Sequence, residues 1–463
     1  MKVVIVGDTI NFQGESFILE DLYDLEFFEK AKGNVEDYNN DSFFVNELYL
    51  NFTQNFLVLE SFVVTNKITE IDALQSSNML FFYLSDIASK HDLYIKGSFY
   101  FVKFLNWCMF FFHIFSSSIF LIFLMIKISK KKLKKIKGDI TIVRTTALKN
   151  KVESLNMRCE YEDPYDKTSI YKYFSRTIRC SWVCTSLFTS FNQYSSLKKL
   201  IISYQGTNSI HLINEFYGKR LVHLNLYKKV LDAYLKQNNL DRLFTSNNLD
   251  RFAMVESKLA KKYKVQLIGI PHGLEYGFKF PKCFTGDIFY ATSDFAVKYF
   301  NNLYKTSKFV FDKEFITSIF RKKQTDNNDI KIVYFSEPRE SFVNHDIIRG
   351  LLPLFKKQNM ILSLKLHPKE REEDYDDYDV EIIENFNNAI TGNICFSRKS
   401  TILLEALYNN SMSSAILLNN KDRTFFSNFP SLQTEEINQA FSFHELESWI
   451  IESYKKKIDE KRT

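Results

Sequence analysis

Glycine, proline and cysteine are all scarce in this 463-residue chain, which contains 13, 7 and 6 of them. So few glycines and prolines exclude a collagen-like repeat and a flexible linker protein. The 45% apolar content excludes a disordered chain, and the length excludes a miniprotein that depends on disulfides. At about 100–200 residues per domain, we expect two or three domains.

The six cysteines follow neither a disulfide framework nor a metal-binding motif. Cys180 and Cys184 are four residues apart in RCSWVC, with no second pair or histidine cluster to complete a zinc site. We therefore expect reduced thiols and a reducing compartment. No Asp-x-Asp pair lies in a suitable loop either, because the acidic run EREEDYDDYD (370–379) is typical of a solvated surface. The sequence indicates no metal site and no cofactor.

Charge is distributed unevenly along the chain. The net charge is +6, but residues 1–96 carry −10 (6 Lys and no Arg against 16 Asp and Glu), which leaves +16 on the rest. The basic block Lys127–Lys137 directly follows the run Phe104–Ile126, 23 residues without a formal charge. As one helix this run would extend about 35 Å, enough for a bilayer core of about 30 Å. The apolar run followed by the basic block indicates a membrane as the partner and not nucleic acid, because the basic block is not interleaved with stacking aromatic residues.

Three arrangements of this apolar run are open. A single span would place the lysine block in the cytoplasm and translocate the acidic N-terminal segment. A hairpin that breaks near Ser116–Ser118, or a helix on the membrane surface, would keep both flanks cytoplasmic. A buried helix of a soluble protein is the third. We favour the second, since the opening MKVVIVGDT is typical of the first strand of a soluble α/β domain.

Strand-like runs alternate with amphipathic segments, which predicts an α/β fold with parallel sheets covered by helices. The charged run Arg321–Asn328 (RKKQTDNN) is typical of a linker. We therefore predict an N-terminal domain, residues 1–320 with a membrane-associated segment at 101–137, and a C-terminal domain, residues 329–463. A ligand cleft is expected between them, at the carboxyl ends of the strands. The predicted strands are Val3–Val6, Phe56–Val64, Asp139–Val143, Lys199–Ser203, Arg242–Thr245, Val265–Ile270, Asp287–Ala291, 330–336, 360–368, 379–385, 393–401 and 414–420.

The C-terminal domain contains residue types that suit a phosphate group. His367-Pro368 follows the strand LSLKL, where an imidazole N–H can donate to a phosphate oxygen. Ser400 or Thr401 fits the N-cap of the helix ILLEAL, whose N-terminus favours anions. Glu405, one turn into that helix, can accept from a sugar hydroxyl or merely support the cap. Glu337 follows the first strand of the domain in FSEPRE.

The N-terminal domain contains the segment IPHGLEYG, Ile270–Gly277. His272 follows a strand there and suits a general base toward an acceptor hydroxyl, with Glu275 as the rival. Gly273 and Gly277 would allow a substrate close to the backbone. The alternative is a histidine that closes the loop by hydrogen bonding.

The order of these motifs resembles that of bacterial surface-polysaccharide glycosyltransferases of the GT-B fold. Five motifs follow one another across about residues 241–419: PHG, SDF, SEPRE, KLHP and S-x-x-S-T-x-x-x-E-A. The group contains capsule polysaccharide biosynthesis proteins, sialyl- and polysialyltransferases, and CDP-glycerol-type transferases. The chain departs from the sialyltransferase pattern at LEYG, where Glu275 is the only acid, which puts sialic acid in doubt as the donor sugar.

The resemblance implies two Rossmann-type domains that face a cleft, and it implies roles for individual residues. His272 would be the catalytic base, with Glu275 in reserve. The residues that it implies for nucleotide binding are Glu337, His367, Pro368, Ser397, Ser400, Thr401 and Glu405. No metal would be obligatory.

The sequence thus predicts a membrane-associated glycosyltransferase at the cytoplasmic face of the bacterial inner membrane. Its partners would be a nucleotide-sugar donor, membrane lipid, and an acceptor that is lipid-linked or a growing glycan of a capsule, lipopolysaccharide or O-antigen. The alternatives are a polyol-phosphate or sialic-acid-type transferase, a nucleotide-sugar 2-epimerase of the same fold, and a non-catalytic assembly protein of the same pathway.

Overall fold

The chain folds into two compact units in a computed structural model. The first comprises Met1–His272 with Phe278–Phe289, and the second comprises Gly273–Gly277 with Tyr290–Thr463. Both contain parallel sheet flanked by helices, which confirms the predicted α/β class. The structure describes residues 1–22, 54–97, 100–131, 136–153, 155, 157–163, 165–204, 206–211, 221–246, 251–271, 273, 275, 277, 286–322, 329–338 and 341–462.

A five-stranded sheet opens the first unit. Its order is β3-β2-β1-β4-β5, with β1, β4 and β5 parallel and β2 and β3 antiparallel additions. The predicted strand Phe56–Val64 is wrong, because this run is helical and buries Phe56, Leu59 and Val63 at a spacing of three and four residues. The elements are β1 (Lys2–Gly7), β2 (Thr9–Phe12), β3 (Glu15–Phe17), α1 (Gln54–Thr65), β4 (Glu70–Ser76), α2 (Asn78–Lys90) and β5 (Tyr94–Lys96).

The remainder of the first unit is built on a second, parallel sheet. Its elements are α3 (Tyr100–Lys127), β6 (Lys137–Val143), α4 (Thr146–Glu153), β7 (Cys159–Tyr161), α5 (Arg176–Tyr204), α6 (Leu221–Gln237), β8 (Asn239–Thr245), α7 (Arg251–Tyr263), β9 (Gln266–Gly269) and β10 (Ile288–Tyr290). Within this unit the strands run in the order β10-β9-β8-β6-β7. The predicted strand Lys199–Ser203 is wrong, because α5 continues through it with a helical spacing of buried residues at Val183, Ser186 and Ser190.

Helix α3 is one uninterrupted helix of 28 residues, so the hairpin that the serines at 116–118 suggested is wrong. The Ser118 hydroxyl donates to the Ile114 carbonyl at 2.6 Å, which satisfies the hydroxyl inside the helix instead of ending it. The stretch Lys103–Lys127 contains an 18-residue window with a mean hydropathy of 2.3, and it is long and apolar enough to cross a membrane.

One side of α3 packs against α5, and the other is exposed and apolar. Phe110, Ile114 and Met125 are fully buried, and the Phe110 and Tyr194 rings lie 4.4 Å apart. Only 33% of the most apolar window of α3 is buried, unlike the core helix of a soluble protein. The apolar face of α3, as we call the exposed side, comprises Phe104, Leu105, Met109, Phe111, Phe112, Phe115, Ile119, Phe120, Phe123 and Ile126.

A six-stranded, fully parallel sheet forms the centre of the second unit, in the order β14-β13-β12-β15-β16-β17. Numbered from β12, this is the order 3-2-1-4-5-6 of a Rossmann fold. The elements are α8 (Asp294–Tyr304), β11 (Phe309–Val310), α9 (Lys313–Phe320), β12 (Ile332–Phe335), α10 (Ser341–Gln358), β13 (Leu362–Lys365), β14 (Glu381–Ile382), α11 (Phe386–Ile390), β15 (Ile394–Ser397), α12 (Ile402–Tyr408), β16 (Met412–Ile416), α13 (Asn420–Ser427), β17 (Ile437–Ala440) and α14 (Phe443–Arg462).

Both faces of this sheet are buried. Ile332 and Tyr334 face a core that contains Leu351 and Leu446, whereas Val333 alternates onto the opposite face. A strand covered on both sides is apolar at every position, which explains why the sequence predicted these strands as continuous apolar runs.

Residues 290–322 belong to the second unit. The predicted boundary, between residues 320 and 329, therefore differs from the division seen in the structure. The Asn409 side chain explains the difference, because it donates to the Phe320 carbonyl at 3.0 Å and accepts from the Lys322 N–H at 2.7 Å. Helix α8 begins directly after Ser293, whose hydroxyl accepts from the Ala296 N–H at 3.1 Å.

Candidate functional site

The strand order of the second unit reverses between β12 and β15. Ligands of open α/β sheets bind outside the carboxyl ends of the strands at such a reversal. Three loops meet this edge: 336–338 after β12, 366–370 after β13 and 398–401 after β15. Most of the predicted nucleotide-binding residues lie on them.

Glu337 ties two of these loops together. Its Oε1 accepts from the Lys399 N–H at 2.8 Å and from the Ser397 hydroxyl at 3.3 Å. Burial raises the pKa of Glu337 above the usual range of a carboxyl, against the opposing charges of Arg398 and Lys399. Ser397 itself is fully buried, with its hydroxyl donating to the Phe335 carbonyl at 3.0 Å.

A buried ion pair anchors the loop that follows β15. The Arg398 guanidinium donates from Nε and Nη2 to the two oxygens of Asp422, both at 2.9 Å, and Lys399 Nζ lies 3.0 Å from the same carboxylate. Although burial alone would raise it, the hydrogen bonds and charges of Arg398 and Lys399 hold the pKa of Asp422 below its usual value. The pair therefore fixes the backbone that leads into Ser400 and Thr401.

His367 is held in a defined tautomer at the end of β13. Its Nδ1 accepts from the Lys369 N–H at 3.2 Å, so in the neutral ring the proton is on Nε2. The His367 N–H donates to Ser336 Oγ at 3.1 Å and to Glu370 Oε2 at 3.2 Å, which fixes the start of the loop. His367 is partly exposed, and an imidazole N–H at a strand end is a donor suited to a phosphate oxygen. Pro368, the next residue, is exposed.

Ser400 and Thr401 precede helix α12, which has seven residues. Thr401 is the N-cap, but it makes no side-chain capping bond, while the Ser400 hydroxyl accepts from the Ile402 N–H at 3.3 Å. Glu405 lies 3.5 Å from Lys322 Nζ, so its carboxylate is in an ion pair. Strands β13 and β15 both flank β12, which separates the His367 and Ser400 loops by about 10 Å at the usual strand spacing.

The segment predicted to carry the base reaches the same edge. A Cβ at Gly273 would lie 3.6 Å from Thr401 Cγ2, so this segment passes beside the start of α12. Glu275 is buried, whereas His272 lies outside the described residues. Gly277 packs closely against protein, since a Cβ there would lie 3.1 Å from Pro430 Cδ and its neighbours would have to shift by a few tenths of an ångström.

Sequence reasoning missed three residues that organise this edge: Asn344, Glu370 and Asp422. Glu370 had been placed on a solvated surface, yet it accepts hydrogen bonds from Ser336, His367, Asn344 and Tyr375. Its position three residues after His367 was the available signal, because a carboxylate at this spacing can accept the backbone N–H that begins the turn.

Comparison with known proteins finds little. No protein-family model matches the chain, and no curated protein matches its sequence. A solved structure with some likeness is UDP-N-acetylglucosamine 2-epimerase from Rickettsia bellii, with 9% sequence identity and a TM-score of 0.33 over 70% of this chain and 96% of that chain. A likeness this distant assigns no chemistry to this chain.

Proposed function

We propose that this protein is a membrane-associated glycosyltransferase. It transfers a sugar from a nucleotide-activated donor to an acceptor that is lipid-linked or a growing surface polysaccharide. The observation that carries the proposal is the strand reversal between β12 and β15, where the His367 Nε2–H and the hydroxyls of Ser400 and Thr401 suit the phosphates of a nucleotide.

Helix α3 supports a location at the membrane, which we place at the cytoplasmic face of the bacterial inner membrane. The apolar face of α3 ends at three exposed lysines, Lys127, Lys130 and Lys131, which suit anionic headgroups. The helix lies in the plane of the interface instead of spanning it, because it packs along α5, and the middle of α5 at Thr189 lines a cavity together with Lys228 and Lys258. Taking such charges to the centre of a bilayer costs about 2.5–3.5 kcal/mol each.

Nucleotide binding is the first expected result. One of CMP, CDP, UDP, GDP and dTDP should raise the melting temperature of the protein, with a stabilisation of about 2.7 kcal/mol at a hundred times its dissociation constant. His367→Ala should weaken that nucleotide about tenfold to a hundredfold, because a hydrogen bond to a charged group contributes about 1.5–3 kcal/mol.

His444→Ala is the control for this titration, since His444 is an exposed histidine of the same unit at the start of α14. A chain that none of the five nucleotides stabilises would count against every transferase among the alternatives and favour the non-catalytic assembly protein. Equal affinities in the two histidine variants would remove His367 from the site.

Membrane binding is the second expected result. The double variant Phe112→Asp, Phe120→Asp changes two exposed residues, 62% and 58% accessible, in the middle of the apolar face of α3. It should lose most of its flotation with phosphatidylglycerol vesicles, because each change removes an inserted aromatic ring and adds a charge. Phe342→Asp, at a phenylalanine 63% exposed in the second unit, should float like the wild type. Equal flotation of all three proteins would show that α3 does not contact lipid.

A further inference from the structure

The parallel sheet of the first unit has a strand reversal of its own. Numbered from β6, its order β10-β9-β8-β6-β7 is the 2-1-3-4-5 order of a doubly wound sheet, with the reversal between β6 and β8. Polar residues follow the carboxyl ends there: Arg144 after β6, Glu162 after β7 and Ser246 after β8. None of them belongs to the site described above.

Glu162 forms a hydrogen-bonded pair with His223, the third residue of α6. The His223 Nε2–H donates to Glu162 Oε1, which also accepts from the Tyr171 hydroxyl at 2.7 Å. An ionised carboxylate only accepts, so the pair places the imidazole proton on Nε2 and leaves the lone pair on Nδ1. The carboxylate side chain is 11% exposed and the imidazole 34%, so the ring reaches solvent from a buried anchor.

An aromatic ring and two charged side chains lie around the pair of Glu162 and His223. The centres of the His223 and Phe252 rings lie 5.7 Å apart in an edge-on arrangement. The Arg144 guanidinium lies 3.8 Å from the centre of the Phe252 ring. Glu256 is buried beside them and accepts from the Tyr227 hydroxyl at 2.7 Å. A base, a cation and an aromatic face thus lie together at the edge of the sheet where a ligand is expected.

We propose that His223, oriented by Glu162, is the base that accepts the proton of the acceptor hydroxyl in glycosyl transfer. The inference rests on the proposed function and names its acceptor-activating group. In a single displacement the hydroxyl oxygen bonds to the anomeric carbon, and its proton passes to Nδ1 of His223. The bond from that carbon to the donor phosphate breaks, and the nucleotide leaves with the electron pair. Glu162 is a positioning residue that stabilises the imidazolium.

The chain contains a matched control. His91 Nε2 lies 2.7 Å from Glu60 Oε1, with exposures of 32% and 13% that are close to those of the first pair. This second pair joins α1 to the end of α2 and lies beside the other sheet. His91→Gln therefore removes the same kind of interaction from a place with no strand reversal.

The first measurement is chemical. Diethyl pyrocarbonate acylates an accessible, unprotonated imidazole nitrogen, and peptide mass spectrometry of the intact wild-type protein should show His223 modified about as fast as His91. An unmodified His223 has no available lone pair and overturns the proposal.

The second measurement is turnover, followed as release of free nucleotide with water as the acceptor, from sugar donors of UDP, GDP, CMP and dTDP. His223→Gln should lower kcat at least about a hundredfold, the usual size of general-base catalysis, with donor KM and the nucleotide thermal shift unchanged. Glu162→Gln should lower kcat by less, also at unchanged KM, and His91→Gln should match the wild type.

Turnover of His223→Gln at the rate of His91→Gln overturns the proposal, and so does a loss confined to His272→Gln. A wild-type protein that binds a nucleotide but turns over none of the donors overturns the step assigned to His223, while a protein that binds no nucleotide overturns the proposed function as well.

Discussion

Replacing Asp422 by alanine should destabilise the second unit by about 3–5 kcal/mol, the usual cost of removing one partner from a buried ion pair. The side chains of Arg398 and Asp422 are 0% and 2% exposed. Water therefore cannot replace the lost carboxylate as the partner of the buried Arg398 guanidinium. The Lys399 ammonium, 8% exposed, loses the same partner. Because Arg398 precedes Lys399, Ser400 and Thr401, nucleotide affinity should fall together with stability.

Urea denaturation of the full chain can report this change on the second unit alone. The chain has three tryptophans, Trp107, Trp182 and Trp449, of which Trp449 belongs to the second unit. In the double variant Trp107→Phe, Trp182→Phe, tryptophan fluorescence comes from Trp449 alone and therefore reports the unfolding of the second unit. Asp346→Ala is the control, since its ion pair with Arg349 is 63–65% exposed and should be worth less than about 1 kcal/mol. If Asp422→Ala unfolds at the same urea concentration as this control, the buried pair is not what holds the loop.

The central strands of the second unit were predictable because burial on both faces makes them unbroken apolar runs such as IVYF and ICFS. The misassigned run Phe56–Val64 shows the limit of that signal, since a short stretch rich in valine and aromatics fits a strand or a buried helix equally well. Strand order, which creates the reversal at β12 and β15, follows from long-range pairing that no local pattern encodes.

The site was predictable only where a residue and its role share one segment. His367 and Ser400 were found because strand-end and helix-cap positions are visible in sequence. Arg398 and Asp422 are 24 residues apart, and a charged residue read locally is assigned to the surface. Glu162 and His223 are separated by 61 residues, so only the fold brings the carboxylate to the imidazole.

Glu370 gives the other large expected effect, because it is the shared acceptor of the loops that follow β12 and β13. It accepts from Ser336 Oγ at 2.5 Å, Tyr375 Oη at 2.6 Å and Asn344 Nδ2 at 2.9 Å, besides the N–H of His367. Burial raises the pKa of Tyr375, and its bond to Glu370 raises it further, so at neutral pH the phenol keeps the proton that it donates.

Glu370→Ala should therefore destabilise the second unit by about 2–6 kcal/mol, since two buried hydroxyls, at about 1–3 kcal/mol each, lose their acceptor. It should also abolish most of the nucleotide thermal shift, because the turn that orients His367 loses its anchor. Glu373→Ala changes an exposed acid of the same run, and should alter neither stability nor nucleotide affinity. Urea denaturation followed by Trp449 gives the first effect and nucleotide titration the second. If Glu370→Ala were as stable as Glu373→Ala, the hydrogen bonds of Glu370 would not hold the loops; if it were less stable but bound nucleotide normally, the His367 turn would not be part of the binding site.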